Sequence, residues 1–293
     1  MNASEPQVLI ASRNLVGESP LWRPAESALY WVDVEGRSLH RWHEPDGVLH
    51  QWRLDEPVGC IGLRKSGGLV GACRSGFFFF DTSSGTATAL CDPEQDRPEN
   101  RFNDGKVDRQ GRFWAGTRNF VDTTRASGCL YRLDADHSVH RMEEGLRCPN
   151  GIAWSPDNRR MYLCDTWIRR IYVYDFDAAS GAVANRRLFV ELPASQGFPD
   201  GLTVDSQGYV WNAHYNGWRI TRYAPDGSVD LVLPMPVRDV TSLTFGRADA
   251  QTLFVTTSHL RLPPGERQRQ STAGHVYALR APAPGLPEPE FLG

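Results

Sequence analysis

Four stretches of this chain place side-chain oxygens immediately ahead of an apolar run. They are Glu18 before Ser19-Pro20-Leu21-Trp22, Asn103 and Asp104 before Gly105-Lys106-Val107, Asn150 before Gly151-Ile152-Ala153-Trp154, and Asp200 before Gly201-Leu202-Thr203-Val204. Carboxylate and amide oxygens are hard donors, suited to Ca²⁺, Mg²⁺ or Mn²⁺ and usable by Zn²⁺. Carboxylates brought together repel one another and call for a cation. Asn-Gly and Asp-Gly pairs also make turns, so each of these residues taken singly reads as a turn residue as readily as a ligand. Glu18 breaks that symmetry, because Glu is a poor turn former. No His or Cys cluster has zinc-finger spacing.

What could bring the four stretches together is an internal repeat. Glu18 to Pro24 superposes without a gap on Asn150 to Pro156 at an offset of 132 residues, and the match continues through Tyr30 on Tyr162 and Asp33 on Asp165. Asn103 to Trp114 likewise matches Asp200 to Trp211, and weaker copies begin near Val58 and Val240. Six units of about forty to fifty residues have the period of propeller blades. Within the fifth unit, runs of strand length alternate with Gln207-Gly208, Asn216-Gly217 and Asp226-Gly227 turns. The expectation is an all-β, six-bladed propeller with four antiparallel strands per blade, spanning residues 1–293. The last unit shows three strands, so Gln7 to Ala11 is expected to supply the fourth and close the ring. The Pro-rich tail, 281–293, reads as extended or loose. Innermost strands line the channel of a propeller, so equivalent positions form a ring around its axis.

The composition is that of a globular protein: 23% charged, 11% aromatic, net charge -3. Basic residues occur in scattered pairs such as Arg159-Arg160 and Arg186-Arg187, with no stripe to attract nucleic acid. No apolar run reaches membrane-span length, and Met1 to Ser12 lacks the pattern of a signal peptide. Six cysteines without a CxxC pair read as reduced, buried thiols, and a cytoplasmic location is expected. No Gly-x-Ser-x-Gly elbow, phosphate-binding loop or dinucleotide fingerprint is present.

Gly17 to Trp22, Arg101-Phe102-Asn103-Asp104-Gly105, Trp114 to Thr117, Pro149-Asn150-Gly151 and Pro199-Asp200-Gly201, in this order, give the chain its resemblance to a known family. Over nearly its whole length it resembles the regucalcin, gluconolactonase and luciferin-regenerating-enzyme family of six-bladed propellers. The resemblance implies one divalent metal ion and, as in many members, hydrolysis of a sugar-acid lactone. It implies Glu18, Asn150 and Asp200 as metal ligands, with Asp200 also the general base. Arg101 and Asn103, with Asp104 beside them, match positions that hold the sugar or complete the ion's shell. Asp122 is the nearest match to an acidic residue that the family often carries on a loop of the third unit.

A cation polarises a lactone carbonyl and acidifies a water, and Asp200 beside it could take that water's proton. Arg101 could donate to sugar hydroxyls or to a developing oxyanion. His214, Trp167 and Trp218 read equally as pocket-lining or structural residues. Asp33 and Asp165 read as turn caps, and Trp22, Trp114, Trp154 and Trp211 as packing between blades. Two other functions fit the same residues: a Ca²⁺-binding propeller without catalysis, and hydrolysis of another ester or a phosphotriester.

Overall fold

The computed structural model describes residues 3–293; Met1 and Asn2, the start of the segment read as lacking a signal peptide, lie outside it. The described residues form six sheets, each built on four antiparallel strands in sequential order except in the last; the second gains a fifth strand from the tail. Blade 1 begins with the inner strand Gly17–Arg23, blade 2 with Val58–Arg64 and blade 3 with Asn100–Val107. Blades 4, 5 and 6 begin with Pro149–Trp154, Phe198–Val204 and Val240–Gly246. Blade 6 takes its outer strand from the other end of the chain: Gln7–Ile10 pairs antiparallel with Val276–Arg280. The ring is therefore a six-bladed propeller closed by an N-terminal strand, as the repeat requires. The single α-helix among the described residues is the short Pro264–Arg269, and no helix there is long and apolar enough to cross a membrane.

The repeats share chemistry as well as shape. In blade 5, Asp205 accepts from the Gln207 and Tyr209 backbone N–H groups, from Trp211 Nε1 at 2.9 Å and from Arg222 Nε at 2.9 Å. In blade 3, Asp108 accepts from the Gln110 and Arg112 N–H groups, from Trp114 Nε1 at 2.9 Å and from Arg112 Nε at 2.6 Å. Each buried carboxylate thus satisfies a turn, an indole and a guanidinium together, which is what a buried charge needs. Asp33 and Asp165 play a second repeated part. Asp33 receives the Leu15 and Val16 N–H groups, and Asp165 those of Arg147 and Cys148. Both hold the loop that leads into their own blade's inner strand. The tryptophans Trp22, Trp114, Trp154 and Trp211 are all buried. Trp22 packs on Phe254 of blade 6, Trp114 on Trp154 across the blade 3–4 joint, and Trp211 on Phe245 across the blade 5–6 joint.

The tail is extended but not loose. It crosses the face of the propeller opposite the mouth described below. Ser206 N donates to Pro284 O, Gly285 N to Ala250 O, and Leu292 N to Gly111 O. Glu290–Phe291 adds a short parallel strand to blade 2, and Phe291 is fully buried in the cluster that includes Phe77, Phe102 and Phe113. Lys106 and Thr244, from the inner strands of blades 3 and 6, both reach Glu288, at 3.0 and 2.7 Å. The sequence shows only prolines that forbid regular structure; the four blades that receive the tail are a tertiary matter. Phe291→Ala is expected to cost about 3–5 kcal/mol, the range for a buried aromatic cut to Ala, read as a lowered urea midpoint at unchanged slope. A change under about 1 kcal/mol would mean that the tail does not seal the fold.

Candidate functional site

All six inner strands break register with their neighbours at one repeat position. The irregularities fall between Glu18 and Leu21, Val58 and Cys60, Phe102 and Gly105, Asn150 and Ile152, Pro199 and Leu202, and Val240 and Ser242. A bulge inserts a residue without a ladder partner and re-aims its side chain. Asn103, Asp104 and Asp200 fall inside these irregularities, and Glu18 and Asn150 are the last paired residues before theirs, so Asn150-Gly151 and Asp200-Gly201 lie within strands and are not turns. Their glycines answer a different demand. A Cβ on Gly151 would stand 2.4 Å from Asp200 O, and one on Gly201 2.3 Å from Ser242 Oγ. At these two glycines the neighbouring inner strand approaches too closely for a side chain. In blade 1 the matching residue is Ser19, with φ of 50°. Its hydroxyl accepts the Ile61 N–H at 3.0 Å, which locks blade 1 to blade 2 just beyond Glu18.

Glu18, Asp104, Asn150 and Asp200 line one cavity at the channel mouth, with about 780 Å³ of empty space that is partly open to solvent. Arg101, Asn103, Arg118, Trp167 and Tyr215 line it as well. Burial, then the charges of Asp200 and Asp104, push Glu18 far above the usual carboxylate range. Burial and the charge of Asp104 do the same to Asp200, against a hydrogen bond from Asn150. Burial alone pushes Asp104 up to about 6, against the Gly105 N–H and the nearby Lys106. Glu18 Oε2 is buried and has no hydrogen-bond partner among the described residues. Asn150 Nδ2 donates to Asp200 Oδ1 and, at 3.1 Å, to Thr166 Oγ1. No three His, Cys, Asp or Glu side chains among the described residues are spaced to hold a metal ion. The donors that meet are mixed, carboxylates with an amide. Hard oxygens, an orphaned buried carboxylate oxygen and unneutralised like charge together fit a divalent cation.

On the blade 3 side the cavity wall is basic. Arg101 NH2 donates to Glu35 Oε1 at 2.9 Å, and its guanidinium lies 3.9 Å from the centre of the Phe120 ring. Asn103 donates to Pro149 O at 3.0 Å and accepts from Arg118 Nε at 3.1 Å. Both ends of its amide are engaged, so it ties blade 3 to blade 4 and steers Arg118. Arg118 itself was not singled out by the sequence reading. The signal was available, since it directly follows Trp114-Ala115-Gly116-Thr117 and pairs across the strands with Arg101. Asp122 is elsewhere: its carboxylate accepts from Thr124 on an exposed loop, and it is not part of the cavity lining.

Of the three aromatic candidates, only Trp167 reaches the cavity. Trp218 is exposed outside it. His214 is wholly buried, hydrogen-bonded through Nδ1 to Gln196 O at 2.9 Å and facing Tyr223 through Nε2.

Fold and site define a class: a six-bladed propeller with an acidic pocket at the axis, walled on one side by arginines. The chain belongs to the SMP-30/gluconolactonase/LRE-like family, whose model matches residues 16–259. A 6-deoxy-6-sulfogluconolactonase of Pseudomonas putida is 37% identical to it over 97% of this chain and 98% of that protein. Xenopus laevis regucalcin is 32% identical over 95% of each chain. The crystal structure of a calcium-binding protein, regucalcin, from Agrobacterium tumefaciens superposes with a TM-score of 0.93 at 27% identity, covering 98% of this chain and 97% of that one.

Burial holds His214 and His40 down to about 4, from an ordinary 6.5. The unfolded chain therefore takes up protons near pH 6.5 that the folded chain refuses until about pH 4. Their contribution is complete above pH 6.5 and is lost as pH falls toward 4. Between pH 7 and 5 each should cost about 2 kcal/mol of stability. His214→Gln is expected to flatten this dependence in urea titrations at the two pH values; an unchanged slope would place the acid sensitivity in other groups.

Proposed function

We propose that the chain is a hydrolase, a sugar lactonase that opens an aldonolactone to its open-chain acid. One divalent cation would be held by Glu18, Asn150 and Asp200. The observation that carries this reading is the orphaned Glu18 Oε2, buried beside Asp200 and Asp104 where no protein donor meets it. The oxygen donors suit Ca²⁺, Mg²⁺ or Mn²⁺, and Zn²⁺ can use them. Bound there, the cation would polarise the lactone carbonyl and make a water more acidic.

The chain's own residues divide the remaining work. Asp200 would accept the attacking water's proton at a carboxylate oxygen. Burial and Asp104 make that oxygen more basic; the cation would make it less so. Asn212 Nδ2 donates to Asp200 O and Gly201 O at 3.1 Å each, which holds this bulge in place. Arg101, braced by Glu35 and stacked on Phe120, would donate to sugar hydroxyls or to the oxyanion. Trp167 offers the ring a flat apolar wall. Asp104, deep in the cavity and bound to the Gly105 N–H at 2.8 Å, would keep the axis negative enough to hold the ion. The named relative, a sulfogluconolactonase matched over almost its whole length, supports the same chemistry. Six unpaired cysteines, five of them buried, support a reducing compartment such as the cytoplasm.

A second reading is that the protein holds Ca²⁺ without catalysis, which the calcium-binding regucalcin structure favours. Acid release from gluconolactone, galactonolactone, arabinolactone and xylonolactone in weakly buffered medium, with and without chelator, separates the two. Hydrolysis abolished by chelator and restored by metal is expected. Asp200→Asn should lose about a hundredfold or more of kcat at saturating metal, the scale of a lost positioned base; full activity there would remove Asp200 from that role. Arg101→Ala should raise KM or lower kcat while metal affinity stays within about twofold of wild type.

Metal should also stabilise the fold, by about 2.7 kcal/mol at a hundredfold excess over Kd. Glu18→Gln should lose most of this gain in thermal melts. In chelator, however, the same variant should match or exceed wild type, because it relieves a buried like charge. A melting temperature that metal leaves unmoved would count against the ion site.

A further inference from the structure

The basic wall of the cavity carries more positive charge than its own paired acid, Glu35, balances. Arg118 stands on the second strand of blade 3, Phe113–Asn119, and is only 8% exposed. Its Nε donates to Asn103 Oδ1. Among the described residues, no carboxylate oxygen lies within salt-bridge distance of its guanidinium; Glu35 is paired with Arg101, and the carboxylate that feels the Arg118 charge is Asp200, beyond pairing distance. Arg101 and Arg118 are direct cross-strand partners. Both guanidinium groups lie over the same Phe120 ring, at 3.9 and 5.6 Å from its centre. Arg118's charge, after burial, helps to hold Arg101 below its ordinary value. Arg261, exposed on the cavity rim, adds a third positive group without an acidic side-chain partner among the described residues.

A buried cation without a counter-ion is costly. The Nε of Arg118 is used, but its two terminal nitrogens are left to whatever enters the cavity. A guanidinium fork matches an oxyanion far better than it matches a hydroxyl. Asn103 fixes the fork's direction, and Phe120 backs it. The opposite side of the cavity is acidic, so an anion has one favourable place and the reacting lactone another.

We infer that Arg118 binds an anionic group on the terminal carbon of the substrate, while Arg101 keeps its part at the sugar hydroxyls or the oxyanion. The preferred substrate is then a sugar lactone that carries a sulfonate, phosphate or carboxylate at the end of the carbon chain remote from the lactone carbonyl. This deepens the lactonase reading and rests on it. The shared chemistry is a compact oxyanion with two or three oxygens for a forked donor. Which of the three it is depends on size and charge at the fork.

The test compares kcat/KM for gluconolactone and for its 6-deoxy-6-sulfo, 6-phospho and 6-carboxylate counterparts in wild type, Arg118→Gln and Arg118→Lys. Wild type should favour at least one charged lactone by about tenfold or more. Arg118→Gln should lose about ten- to a hundredfold on that substrate, chiefly in KM, as for a lost charge-assisted pair. Its loss on neutral gluconolactone should be at least tenfold smaller, and Arg118→Lys should recover part of the difference. Equal losses on charged and neutral lactones would overturn the inference and leave the lactonase standing. Calorimetric titration with the open-chain acids, gluconate against its 6-sulfo and 6-phospho forms, reads the same site without turnover. If no lactone is hydrolysed, yet the doubly charged acid binds tighter and Arg118→Gln removes the gain, the anion site stands and the lactonase reading falls. If the acids bind alike to wild type, the inference falls whatever the activity.

Discussion

Like charge gathered on the propeller axis is the constraint from which the rest of the structure follows. Glu18, Asp104 and Asp200 are carried by three different blades, the first two half-buried and the third buried; the charges of Asp200 and Asp104 raise Glu18, and that of Asp104 raises Asp200. Nothing short-range in the chain would assemble such a group, and folding must work against its repulsion. The ring closure, the blade-joining tryptophans and the tail across the far face supply the opposing free energy through burial of apolar surface. A cation placed among such groups would recover part of what the fold spent.

The bulges are how the sheet meets that constraint. A regular inner strand would send alternate side chains into the two neighbouring blades, and none would point along the axis. One extra residue in each inner strand turns a side chain toward the mouth, at the cost of a local break in the ladder. The next residue is then pressed against the neighbouring strand. Glycine at 151 and 201 is the consequence. Asn150-Gly151 and Asp200-Gly201 therefore mark a close approach of strands, not a change of direction, whereas Asn216-Gly217 and Asp226-Gly227 are turns.

The cavity is polarised across its width. Acidic groups from blades 1, 3 and 5 face the axis, and two arginines of blade 3 face the same space from the wall. Asn103 joins the two halves: its amide nitrogen reaches blade 4 and its amide oxygen receives Arg118. A residue that the family resemblance assigns to substrate or ion thus also ties the acidic side of the cavity to its basic side.

Much of this was legible in the residues. The 132-residue offset between Glu18 and Asn150, the matching Asp33 and Asp165, and the paired Asp-to-Trp runs of blades 3 and 5 specify six blades, because a repeat imposes the same local physics wherever it recurs. Glu18 stood out as a candidate ligand because its type suits no turn. The sequence also determined the ring closure, since blade 6 lacked a strand and Gln7 to Ala11 was the one unused. Tertiary structure alone decided the rest. Asp122 and Asp104 are both acidic residues of blade 3, but one is on an exposed loop and the other is on the axis, a difference made by a bulge with no sequence signature. His214 read as a candidate for the mouth and lies instead between strands, because burial depends on the neighbouring blade. The tail looked loose because prolines carry no periodicity, while its partners are turns from four separate blades. Arg118 became visible as a residue of the cavity wall only through its strand neighbour Arg101, which takes Glu35. Side-chain charge is written in the sequence, but whether a charge is left unpaired is a fact about three-dimensional proximity.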